Sequence, residues 1–141
     1  SIPYGRKDSV DGTPFDLREF HAVGEGINDV SNEQIKWGRG YDHSICINNY
    51  TGELNECVVV KSPESGRKMT CSTTLPGVQF YTGNYLEGLE GKYGKKNEFR
   101  HGLCLETQYH PDAIHCPAFE QCVFDKDEAY TSKTVFAFGV E

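Results

Sequence analysis

The sequence predicts an all-β protein, and three observations predict it. Its usage favours extended chain: 15 glycines, eight tyrosines and eight phenylalanines accompany Thr and Val in 141 residues. Aromatic and β-branched side chains suit a pleated, half-buried surface. Short runs of alternating apolar and polar residues recur between turn signals, the pattern of a sandwich. Helix signals are almost absent, with one short turn expected near residues 27–29.

The first expected strand is Tyr41–Asn48. Alternation puts Tyr41, His43, Ile45 and Ile47 on one face and Asp42, Ser44, Cys46 and Asn48 on the other. The turn residues Asn49-Tyr50-Thr51-Gly52 end it. Glu56–Lys61 and Arg67–Thr73 follow, separated by Pro63-Glu64-Ser65-Gly66. Gly77–Thr82 sets Val78 and Phe80 against Gln79 and Tyr81. Next comes a loop over residues 83–97. Its basic stretch Lys92-Tyr93-Gly94-Lys95-Lys96 is short and flanked by glycines, as in a solvated loop. In Gly102–Thr107, Leu103 and Leu105 point one way, Cys104 and Glu106 the other. After a loop at residues 110–117, Gln121–Phe124 and Tyr130–Val140 complete the expected set. Asp42, Gln79 and Glu106 each stand opposite an apolar face. On one concave sheet they would form a polar cleft over a packed core, the shape of a sugar site.

Composition narrows the function classes. Hydrophobic residues make up 37% and charged residues 25%, as in a soluble globular domain. No apolar run approaches the ~18 residues of a membrane-spanning helix. The opening Ser1-Ile2-Pro3-Tyr4-Gly5-Arg6 lacks a signal-peptide layout, and the missing initiator Met hints at a partial chain. The net charge of -7 repels phosphate backbones, so no nucleic-acid partner is expected. Cys46, Cys57, Cys71, Cys104, Cys116 and Cys122 form no close framework and read as buried free thiols in a reducing cytosol. His101, Cys104, His110, His115 and Cys116 lack a paired-ligand spacing, so no metal is expected. Cys104 has no marked base or oxyanion hole that would make it a nucleophile. Trp37 is expected in the core in preference to the rim of the cleft.

Several stretches together resemble one family. Gly12-Thr13-Pro14-Phe15-Asp16-Leu17-Arg18, Gly40-Tyr41-Asp42-His43, Pro76-Gly77-Val78-Gln79-Phe80-Tyr81-Thr82-Gly83-Asn84 and Cys104-Leu105-Glu106-Thr107-Gln108 are similar, in order and spacing, to the aldose 1-epimerase (galactose mutarotase) family. Pro111-Asp112-Ala113 and Thr134-Val135-Phe136-Ala137-Phe138 match that family's C-terminal end. The resemblance implies a β-supersandwich and interconversion of the α and β anomers of a hexose such as galactose or glucose, without a cofactor. It assigns Glu106 as the general base at the C1 hydroxyl. Asp42 and Gln79 become sugar-binding groups, and His43 stays a core histidine on the opposite face. The partner is then a small-molecule aldohexose, with no membrane involved.

The resemblance also implies that residues 1–141 are the C-terminal part of a larger domain. The family's acid histidine, a second sugar-contacting histidine and a sugar-binding arginine lie in an N-terminal half that this sequence does not contain. None of His21, His43, His101, His110 or His115 sits in the motifs that carry those histidines. The missing half, or a second chain, is then an expected partner. The competing expectation is an inactive carbohydrate-binding or partner-dependent fragment.

Overall fold

Residues 2–141 are described by a computed structural model. They form two short helices, α1 (Val23–Gly26) and α2 (Glu33–Gly38), and six strands: β1 (Asp42–Cys46), β2 (Asn55–Lys61), β3 (Arg67–Thr73), β4 (Gly77–Tyr81), β5 (Cys104–Gln108) and β6 (Thr134–Val140). One sheet has the order β1-β4-β5 and the other β2-β3-β6. The all-β expectation therefore holds. The chain divides into two units, residues 6–44 with 79–106, and residues 2–5 with 45–78 and 107–141.

In the first unit, α2 starts where Asn32 accepts hydrogen bonds from the N–H groups of Gln34 and Ile35 at 3.0 and 3.3 Å. Glu33 in the first turn adds charge complementary to the helix dipole. The helix stops at Arg39, whose left-handed backbone (φ 56°) turns its N–H back to the carbonyls of Ile35 and Lys36. Ile35 is the buried residue of this helix. Trp37 lies about 200° around the axis from it and is 56% exposed, which corrects its expected place in the core. The core of this unit is built around Tyr41, whose ring stacks on Phe80 at 5.0 Å and meets the edge of Phe15 at 5.6 Å. The Tyr41 hydroxyl donates to the Pro14 carbonyl at 2.8 Å. The basic stretch at residues 92–96 is exposed, as a solvated loop should be.

In the second unit, β3 pairs antiparallel with β2 on one side and with β6 on the other, from Arg67↔Val140 to Thr73↔Thr134. A bulge between Glu56 and Val58 leaves Cys57 out of the ladder. Cys57 Sγ donates to the Cys71 carbonyl at 3.3 Å, and burial pushes its thiol up to about 12. Cys71 is buried, as expected of an inert thiol, whereas Cys46, Cys104 and Cys122 are exposed. β6 ends the sheet order and is exposed along its whole length, with Phe138 at 78%.

Six of the expected strands appear, β3 with the expected bounds and the others shifted at one or both ends. Gln121–Phe124 does not form a strand. The Gln121 side-chain amide lies within 3.1 Å of the carbonyls of Ala113, Cys116 and Phe119, which ties this segment to a loop. Phe124 packs on Tyr109 and Tyr130, with ring centroids 6.2 and 5.0 Å away. Among the described residues, no helix is long and apolar enough to cross a membrane.

Candidate active site on three strands

Asp42 opens β1 directly after the turn that ends α2. The turn needs Gly40: its φ is 134°, and a Cβ there would lie 2.6 Å from Asn84 Oδ1. Asn84 is fully buried and holds the turn from the far side of the sequence. Its amide nitrogen donates to the carbonyls of Gly38 and Tyr41, both at 2.8 Å. Its Oδ1 accepts from the Thr82 hydroxyl at 2.8 Å. The Tyr41 N–H in turn donates to Thr82 Oγ1 at 3.2 Å, and the Thr82 N–H to the Tyr41 carbonyl at 3.1 Å. The peptide that carries Asp42 is thereby fixed at both ends.

The Asp42 side chain is held as well. Gln79, on β4 and only 8% exposed, donates its amide nitrogen to Asp42 Oδ1 at 2.8 Å. A carboxylate can only accept, so this bond fixes which end of the amide faces Asp42. Gln79 Oε1 is then turned to a buried position where no described residue donates to it. Leaving such an acceptor unmet costs about 1–3 kcal/mol.

Glu106 lies in the middle of β5, and β5 neighbours β4 in the sheet order. The three sequence-predicted residues therefore sit one on each of three adjacent strands, and all three belong to the first unit. Asp42 and Gln79 are bonded to each other. Glu106 is exposed, and among the described residues no ion pair or hydrogen bond occupies its carboxylate. Leu105 is half-buried between exposed Cys104 and Glu106, as alternation requires, whereas Leu103 precedes the strand and is exposed.

His43 is half-buried rather than fully in the core. Its ring meets Phe15 edge-on at 4.7 Å, and the Asp42 N–H donates to its Nδ1 at 2.9 Å. That bond puts the proton of the neutral ring on Nε2. Burial holds its pKa below the ordinary histidine value, against a smaller upward pull from Asp42. Protonation therefore opposes folding. The contribution of neutral His43 is complete above the unfolded value near 6.5 and is lost as pH falls below it, because the unfolded chain then binds more protons. We expect thermal stability to decline between pH 7.5 and 5.5 in the wild type. The His43→Gln variant will show a shallower decline, read by differential scanning calorimetry at several pH values; equal slopes would refute the assignment.

Thr82 and Asn84 fall within a motif visible in the sequence, but their part in anchoring Asp42 was missed. The available signal was a pair of polar residues directly after an apolar strand.

Comparison with known proteins gives a consistent result. The family model described as aldose 1-epimerase matches residues 1–137. The galactose mutarotases of Mus musculus and Homo sapiens are each 40% identical over 140 residues, covering 99% of this chain and 39% of theirs. The aldose 1-epimerase of Escherichia coli is 30% identical over 143 residues, covering 99% of this chain and 40% of its own. The chain thus spans about two fifths of the length of these relatives. Among solved structures, an aldose epimerase homologue from C. elegans superposes with a TM-score of 0.83 at 23% identity, over 99% of this chain and 40% of that one. This is a likeness of fold, and the expected fold class is borne out by it.

Proposed function

The chain belongs to the aldose 1-epimerase family, and from that premise we propose that it is the C-terminal part of a mutarotase acting on a hexose such as galactose or glucose. The observation that carries the reading is the bonded pair Asp42–Gln79 on β1 and β4, with its unmet buried acceptor, where β4 neighbours the strand that bears an open Glu106 carboxylate. A sugar presents both donors and acceptors, and this set offers partners for both.

The chemistry is redox-neutral and asks for no metal or organic cofactor. Glu106 takes the proton from the C1 hydroxyl as the bond from C1 to the ring oxygen breaks, and the bonding pair passes to that oxygen, which gains a proton. Rotation about C1–C2 exposes the other carbonyl face, and the steps run in reverse. Asp42 and Gln79 hold sugar hydroxyls during this exchange. The acid comes from residues outside this chain, on a preceding segment or a second chain. This agrees with the sequence motifs, since no histidine here occupies the family's acid position, and with the neutral, core-facing His43. We place the protein in a reducing cytosol, which suits the raised, inert thiols of Cys57 and Cys71.

Polarimetry of freshly dissolved α-D-galactose with the full-length protein tests the activity; a rate no faster than the spontaneous one would end the proposal. In the same assay, Asp42→Asn will raise KM. A hydrogen bond to a charged group contributes about 1.5–3 kcal/mol, which corresponds to roughly 10- to 150-fold. A KM within twofold of wild type would remove Asp42 from the sugar site.

A further inference from the structure

The unit of residues 6–44 and 79–106 contains a cavity of about 270 Å³ that none of Asp42, Gln79 or Glu106 lines. Ile27 and Ile35 give it an apolar wall, while Lys36, Arg39 and Arg100 give it positive charge. Such a concentration is unexpected in a chain of net charge -7. Among the described residues, none of the three cations has a carboxylate within salt-bridge distance.

The two arginines share one aromatic ring. The guanidinium carbon of Arg100 lies 4.4 Å from the Phe99 centroid, and that of Arg39 lies 5.3 Å from it. Arg39 also stands 5.3 Å from the Tyr85 centroid. Arg100 is fixed through Nη1 to Asn28 Oδ1 at 2.7 Å, and through Nη2 to the carbonyls of Arg39 at 2.6 Å and Ile27 at 3.3 Å. Its Nε is buried with no acceptor among the described residues. Burial, and to a lesser degree the charge of Arg39, hold the Arg100 pKa below its ordinary value. Both arginines occupy left-handed backbone, with φ of 56° and 62°, which is unfavourable for a side chain with a Cβ. The fold thus retains two like charges in strained positions around one ring, with a buried donor left over.

We propose that this cavity binds the phosphate group of a small phosphorylated molecule. Arg39 and Lys36, both exposed, supply cationic heads for the dianion. Arg100, which its backbone bonds hold in place, adds a fixed positive charge to the cavity wall. The organic part lies along Ile27 and Ile35. The cavity is slightly smaller than the ~300 Å³ at which drug-sized pockets begin, which suits a compact metabolite. This site is separate from the sugar site and does not depend on the proposed activity.

The test uses the full-length protein at low ionic strength, titrated with inorganic phosphate and with glycerol 3-phosphate by calorimetry. The variants are Arg39→Gly, which removes the charge while relaxing the left-handed backbone, and Lys36→Gln on the exposed helix surface. Saturable binding by the wild type, weakened about tenfold in Arg39→Gly, is the expected result. Tighter binding of the ester than of inorganic phosphate would support a role for the apolar wall. Absence of saturable binding, or equal affinity in wild type and Arg39→Gly, would overturn the proposal.

Discussion

Replacing Glu106 by Gln in the full-length protein will lower the rate of mutarotation roughly 10²- to 10⁴-fold, the range over which a positioned general base acts. The substitution keeps the shape of the side chain and removes only its ability to take a proton at neutral pH. Glu106 is exposed and nothing described is bonded to its carboxylate, so stability will move little, within about 0.5 kcal/mol. The loss will fall on kcat rather than on KM, because a base acts on the proton in flight and not on the hydroxyls that hold the sugar. Asp42→Asn is expected to behave in the opposite way. Polarimetric progress curves over a range of galactose concentrations separate the two. Undiminished kcat in Glu106→Gln would show that the base lies elsewhere.

The largest effect on stability is expected at Asn84. Asn84→Ala removes both donated bonds, to Gly38 and Tyr41, together with the bond accepted from Thr82. Each buried group left without a partner costs about 1–3 kcal/mol. Tyr41 keeps its bond from the Thr82 N–H, so the net loss is on the order of 3 kcal/mol. That is a large share of the 5–15 kcal/mol that typically separates folded from unfolded protein. Urea denaturation of the full-length variant will show a lowered midpoint. Turnover at low temperature, where the variant remains folded, will show a raised KM, since the Asp42 peptide loses its support. A stability change below about 1 kcal/mol would mean that the turn is held by other contacts.

What could be read beforehand follows from the range of each interaction. Alternation within a strand is local, and it correctly opposed Asp42 to Tyr41 and Gln79 to Phe80; the observed contacts pair Asp42 with Gln79 and Tyr41 with Phe80. That alternation could not say that Gln79 would spend its donor on Asp42, because this depends on which strands are neighbours. The Asn84 bond to Gly38 joins residues 46 apart, and no local pattern announces it. Helix α2 was missed although Asn32-Glu33 is a fair starting signal, since a helix of six residues carries too little periodicity to read. Gln121–Phe124 looked like a strand by its residue types, and the three carbonyls around the Gln121 amide decided otherwise. Arg39 and Arg100 were invisible as a pair, because only the folded chain brings them to Phe99.

The exposed strand β6 matters for how long the chain survives. Its seven residues include Phe136, Phe138 and Val140, and it ends its sheet. A short, extended, apolar segment with free backbone groups is what chaperones hold and proteases thread. A chain that leaves this strand uncovered is therefore expected to be turned over quickly.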